Sequence, residues 1–223
     1  MVGNTSENNM VTISGKVASE LEFSHEVYGE GFYLFYIEVP RLSNSVDLIP
    51  ATISERLIHD RELKIGNYVE IEGQFRSYNN NNIKKDGTNK LFLTIFVRDI
   101  TFPDDDSKNR NPNQIYINGY ICKKPIYRTT PFGREIADLL VAVNRQYNKS
   151  DYIPCIAWGR NARFCGSLEV GDNVKLWGRI QSREYQKKLS EEQMVTKVAY
   201  EVSITKLDIG SKQQAEDVIS DTN

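Results

Sequence analysis

What this 223-residue chain has little of narrows its chemistry at once. It has two histidines, His25 and His59, and three cysteines, Cys122, Cys155 and Cys165. The cysteine number is odd and no pair stands in a C-x-x-C spacing, so neither a zinc site nor a redox motif can be written, and a reduced intracellular setting is expected. The histidines lie far from any cysteine or carboxylate cluster, which leaves no metal site and no nucleophilic triad to assemble. The chain therefore reads as a non-enzymatic protein with no cofactor and no metal. No apolar run approaches the ~18 residues that would mark a membrane span. The first ten residues, M-V-G-N-T-S-E-N-N-M, lack the basic and apolar regions of an export signal. A soluble cytoplasmic protein without a membrane partner is the expectation. Net charge is scarce as well: 28 Lys and Arg stand against 30 Asp and Glu, giving −2, which taken alone argues against a nucleic-acid partner.

That average hides a split. Residues 1–107 carry 10 basic and 17 acidic side chains, a net of −7, while 108–223 carry 18 and 13, a net of +5. Only the second half is disposed to meet phosphate. Strand signatures dominate both halves. Val11, Ile13 and Gly15 alternate with Thr12, Ser14 and Lys16, and runs rich in aromatic and β-branched residues follow at 32–39, 49–53, 65–73 and 91–100. Ser54 stands where it can cap a short helix. Polar stretches mark disorder at 1–8, a loop at 79–87, a linker at 103–112 and a flexible tail at 209–223.

The second half repeats the first. Asn9, Gly15, Val39, Arg41, Ile49 and Pro50 recur as Asn113, Gly119, Val143, Arg145, Ile153 and Pro154 at an offset of 104, and Gly66 and Gly73 recur as Gly171 and Gly178 at 105. A period this long means duplicated domains rather than solenoid units of roughly 20–50 residues. Each copy reads as strand, strand, strand, short helix, strand, strand. That is the order of an OB-fold, so the expectation is an all-β chain of two tandem five-stranded Greek-key barrels, at 9–102 and 113–208, each with one helix between its third and fourth strands.

The stretch Y-I-P-C-I-A-W at 152–158 carries the clearest functional signal. Side chains alternate faces along a strand, so Ile153, Cys155 and Ala157 would enter a barrel, while Tyr152, Ile156 and Trp158 share the outer face. Basic and amide residues surround these rings: Arg145, Gln146, Tyr147, Asn148 and Lys149 before the strand, Arg160 and Asn161 after it, and R-I-Q-S-R-E-Y at 179–185 further on. Flat rings interleaved with cations suit a single nucleic acid strand, whose bases offer π-faces and whose backbone is anionic. Trp177, between Leu176 and Gly178, reads instead as a packing or interface residue.

Several motifs in order and at consistent spacing then converge. N-x-I-x-I-x-G at 113–119, P-I-Y-R-T-T-P-F-G at 125–133, A-V-N-R at 142–145, W-G-R-N-A at 158–162, V-G-D-N-V at 170–174 and G-R-I-Q-S-R-E-Y at 178–185 make residues 113–207 resemble the bacterial single-stranded-DNA-binding protein family. The resemblance implies base stacking by Tyr147, Tyr152, Trp158 and Tyr185, with phosphate contacts from Arg128, Arg145, Arg160, Arg179 and Arg183. It implies a role in DNA replication, recombination or repair, in association with the nucleoid. Family members typically gather four barrels, so two barrels per chain imply a homodimer. The family's acidic, apolar tail tip, which recruits replication and repair proteins, has no counterpart in E-D-V-I-S-D-T-N at 216–223. In the first copy the four ring positions become Ser43, Leu48, Ser54 and Asn80, and Arg134 and Arg179 become Glu30 and Gln74. It is therefore expected to be a degenerate barrel kept for assembly, with Phe32, Tyr33, Phe35 and Tyr36 in core and interface roles. Two other readings stay open: an OB-fold scaffold or replisome adaptor whose aromatics anchor proteins, and an RNA-binding OB module.

Overall fold

The computed structural model describes residues 8–41, 43, 45–58, 63–80, 90–103, 112–188 and 194–210. Most of the expected loop at 79–87, most of the linker at 103–112, nearly all of the tail at 209–223, residues 1–7 and His59 lie outside the described residues. The first copy contains β1 (Asn9–Val17), β2 (Glu22–Val27), β3 (Glu30–Pro40), β4 (Val46–Ser54), a 3-10 turn (Glu55–Leu57), β5 (Tyr68–Asn80) and β6 (Lys90–Thr101). The second contains β7 (Asn113–Ile121), β8 (Ile126–Thr129), β9 (Glu135–Asn144), β10 (Ser150–Trp158), helix α1 (Arg160–Cys165), β11 (Asn173–Lys188) and β12 (Met194–Ile209).

Each copy closes a barrel by the same circuit. In the first, β1 pairs with β3 and β5, β3 with β4, β5 with β6, all antiparallel, and β4 runs parallel to β6. In the second, β7, β9, β10, β12 and β11 repeat the circuit, with β10 parallel to β12. The all-β fold of two OB barrels expected from the sequence is present, but each copy has six described strands rather than five. The extra strands, β2 and β8, are exposed along their whole length. With no inward face they show no buried alternation, which is why the sequence pattern did not mark them. Their presence also puts each helical segment after the fourth strand. In the first copy that segment is only the 3-10 turn, capped by Ser54, whose hydroxyl accepts from the Arg56 amide at 3.1 Å.

The core follows strand parity. Val11, Ile13, Phe35, Ile37, Ile49, Ile71 and Ile95 fill the first barrel, and Ile115, Ile117, Val141, Ile153, Leu176 and Val202 the second, in one continuous apolar cluster. Phe32 and Phe35 are buried, as expected, while Tyr33 and Tyr36 are half-buried. The repeated glycines do repeated work. A Cβ on Gly15 would lie 2.2 Å from the Glu38 carbonyl oxygen of β3, and one on Gly119 would lie 2.5 Å from the Ala142 oxygen of β9. Both mark where the first strand of a copy meets the third to close the barrel, and no side chain fits there.

The two barrels join through β1 and β7, which pair antiparallel from Asn9↔Ile117 to Ile13↔Asn113. The pairing centres on Val11 and Ile115, equivalent positions of the repeat, so the junction is isologous within one chain. Two reciprocal clamps reinforce it. Buried Asp47 accepts from Arg41 Nε (2.8 Å) and Nη2 (2.6 Å), and from the Ser182 amide (2.7 Å) and hydroxyl (2.8 Å) of the other copy. Its equivalent Asp151, also buried, accepts from Arg145 Nη1 (3.1 Å) and from the Ser77 amide (2.8 Å) of the first copy. A buried carboxylate is tolerated only when paired and hydrogen-bonded, and here the partners come from both barrels, so desolvation of each aspartate is offset only while the barrels stay docked.

Candidate nucleic-acid interface

β10 sets the site. Asp151, Ile153, Cys155 and Ala157 face inward and are buried, while Tyr152 is 44% and Trp158 42% exposed. Ile156 shares their outward parity yet is buried, lying mid-sheet between Asp138 of β9 and Ser203 of β12. Tyr152 is fixed by its amide, which donates to the Ser77 hydroxyl of the first copy at 2.8 Å. Tyr147 sits not at the end of β9 but three residues beyond it, in a turn closed by the Arg145 amide on the Lys149 carbonyl at 2.7 Å. Tyr147 and Asn148 both have positive φ, 60° and 54°, which lifts the Tyr147 ring clear of the sheet, where it is 90% exposed. Tyr185 lies within the long strand β11 rather than after it, opposite Lys197, and is 37% exposed. Among the described residues none of the four rings packs against another ring. Trp177 does: half-buried, it lies 5.1 Å from the Tyr116 ring, with Lys206 Nζ 4.3 Å above it, a packed arrangement.

The five arginines are not equivalent. Arg160, exposed at the start of α1, makes no ion pair among the described residues. Arg128 pairs with Asp138 at 2.9 Å and Arg183 with Glu201 at 3.4 Å, both at the surface. Such pairs contribute little and can give way to a phosphate. Arg145 holds buried Asp151, and half-buried Arg179 lines a small junction cavity with Arg41 and Asp47. Arg145 and Tyr147 also line a larger cavity, of about 250 Å³, with Gln74, Arg76 and Arg98 of the first copy. Reading by strand parity omitted Arg76 and Arg98. The signal was present in the repeat: Gln181 stands opposite Arg76 at the offset of 105, so the first copy gained a cation there.

The thiols take no part. Burial pushes Cys165 up to about 11 and Cys155 far higher, so both stay protonated and behave as small apolar groups. Among the described residues no group of His, Cys, Asp or Glu could hold a metal ion, and no helix is long and apolar enough to cross a membrane.

Comparison with known proteins places this surface in context. The model of the single-strand binding protein family matches residues 112–207. Single-stranded DNA-binding protein 3 of Clostridium acetobutylicum is 30% identical over 96 residues, covering 40% of this chain and 67% of that protein. Other curated relatives are matched over about half their own length, 56% in two cases. The wild-type single-stranded DNA binding protein of Thermus aquaticus superposes with a TM-score of 0.68 at 18% identity, covering 94% of this chain and 96% of that one, and so shares the two-barrel fold. The dimeric structure of the N-terminal domain of PriB protein from Thermoanaerobacter tencongensis is 50% identical over 44% of this chain and all of that one, with a TM-score of 0.39. Through the motifs and barrel of its second copy, the chain belongs to the single-strand binding protein family.

Proposed function

We propose that this protein binds single-stranded DNA without catalysis, and coats and protects it during replication, recombination or repair in the bacterial cytoplasm, at the nucleoid. The observation that carries this is the set of four tyrosine and tryptophan rings, Tyr147, Tyr152, Trp158 and Tyr185, each exposed on one barrel and, among the described residues, free of ring partners. Exposed rings of this size are sequence-tolerant stacking platforms, and Arg128, Arg145, Arg160, Arg179 and Arg183 provide cations for the backbone. The names of the relatives point the same way. The second barrel, 113–208, carries these contacts, and the first, 9–102, serves assembly. Two chains pair as a homodimer, which brings four barrels together.

Titration with oligo-dT tests the reading. Trp158 fluorescence should be quenched, with an affinity that falls steeply as salt rises. Absence of binding at low salt would overturn it, and tighter binding of oligo-U than of oligo-dT would reassign the strand to RNA. Light scattering should return twice the 25.6 kDa chain mass; the chain mass itself would refute the dimer.

A further inference from the structure

The larger junction cavity belongs to neither barrel alone. Four of its lining residues are cationic: Arg76 and Arg98 from the first copy, Arg145 and Lys149 from the second, with Gln74 on its wall and the Tyr147 ring at its edge. Among the described residues no carboxylate lines it. Asp151, which pairs with Arg145, is buried and already taken up by Arg145 and the Ser77 amide. Arg76 is half-buried and held in place: Nε and Nη2 both donate to Gln74 Oε1, at 3.2 and 2.8 Å, and its guanidinium lies 3.7 Å over the Phe96 ring. Those partners are neutral. Burial holds Arg76 below the ordinary arginine range; Tyr78 and the Asp151 charge pull it up, and the charge of Arg145 pushes it down. Asp151 answers only one of these four cations directly; cations gathered at a partly desolvated site in excess of their counter-charge repel one another, and a bound anion relieves that repulsion.

The duplication supplies an internal control. The two-fold equivalent cavity has about 30 Å³ and is lined by Arg41, Arg179, Gln181 and Asn113 together with the carboxylate of Asp47. There Arg179 replaces Gln74, Gln181 replaces Arg76 and Ser43 replaces Tyr147. A basic cavity is thus not a by-product of joining two OB barrels; one side of the junction has acquired it and the other has not.

We propose that this cavity receives a phosphate of the bound strand, so that Arg76 and Arg98 of the first copy act with Arg145 and Lys149 of the second while an adjoining base stacks on Tyr147. This rests on the proposed function and changes it in one respect: the first copy contributes contacts to the ligand as well as to assembly.

The test uses the full chain carrying Arg98→Gln and Lys149→Gln, two exposed positions with no ion pair among the described residues. Oligo-dT titrations across a salt series should give a log-affinity against log-salt slope shallower by about 0.7, the figure for one lost phosphate contact on a single strand. Lys16→Gln, which removes a charge from the outer face of β1, should leave the slope unchanged. An unchanged slope in the folded double variant, its melting temperature equal to that of the parent, overturns the proposal. If the double variant does not fold, Lys149→Gln alone should make the slope shallower by at most about 0.7, and no change overturns the proposal equally. Should the parent chain fail to bind oligo-dT, the functional reading falls and inorganic pyrophosphate judges the cavity separately. A rise in melting temperature in the parent, absent from the double variant, keeps an anion site without a strand; no rise in either removes the site.

Discussion

The two barrels are built alike inside and differently outside. Ile49 and Ile153, or Gly15 and Gly119, occupy equivalent positions and do equivalent work. Leu48 and Tyr152 also occupy one outward position, 48% and 44% exposed, yet only one of them presents a ring. Ser54 stands where the second copy has Trp158, and it is buried, donating to the Glu30 carboxylate and capping a 3-10 turn. Arg56 stands where the second copy has Arg160, and its charge is answered by Glu30 at 2.7 Å. The inner residues are held by close packing, where a change of one methylene is felt, whereas an outward residue is held only by what it touches. After duplication the surfaces could part while the cores stayed in step.

The largest effect should come from breaking the feature the copies share. Asp47→Ala and Asp151→Ala each leave an arginine and a serine of the opposite copy without their buried partner, and each should lower unfolding stability by about 3–5 kcal/mol. Urea unfolding measures both. A difference above about 2 kcal/mol would show that the two clamps are equivalent in geometry but not in energy.

Next in size is the divergence of the outer faces. Trp158→Ala should weaken oligo-dT binding roughly 5- to 150-fold, from about 1–3 kcal/mol per stacked base, whereas Leu48→Ala at its neighbouring face on the first copy should change it less than twofold. Comparable losses from both would mean that the strand runs over both faces alike. Arg160→Gln should reduce the salt slope by about 0.7 while Arg56→Gln leaves it unaltered, because Arg56 stands on the copy that lacks the stacking rings at 152 and 158. A reduction by Arg56→Gln would place that arginine on the strand. The smallest effect is kinetic. All three cysteines lie in the second copy, and at neutral pH raised pKa values keep Cys155 and Cys165 in the unreactive thiol form. Their alkylation should therefore be slow in the folded protein and should accelerate only when the second barrel opens. Fast modification by iodoacetamide in the absence of denaturant would show that this barrel opens readily on its own.

Much of this was legible in the chain because it is local. Alternation of residues over 152–158 decides which side chains enter the barrel, and a repeat at 104 needs no coordinates to be seen. The same locality explains what the sequence does not show. β2 and β8 have no buried face and so leave no alternation to read; the Tyr147 turn depends on two positive φ angles; and β11 continues through Tyr185 because β12 pairs with it up to Met194↔Lys188.

What the sequence by itself determined is the all-β class, the duplication and the outward rings of Tyr152 and Trp158, since each rests on residues within a strand or on a fixed offset. What only the tertiary structure decided is the junction. The pairing of β1 with β7, the clamps that join Asp47 to Ser182 and Asp151 to Ser77, and the cavity that sets Arg76 and Arg98 beside Arg145 and Lys149 all bring together residues far apart in the chain. Net charge by halves does not register that two arginines of the acidic first copy, Arg76 and Arg98, line a cavity with residues of the second. Electrostatic attraction falls off with distance and screening, so the charge within one cavity matters more to a phosphate than the charge of the half-chain it belongs to.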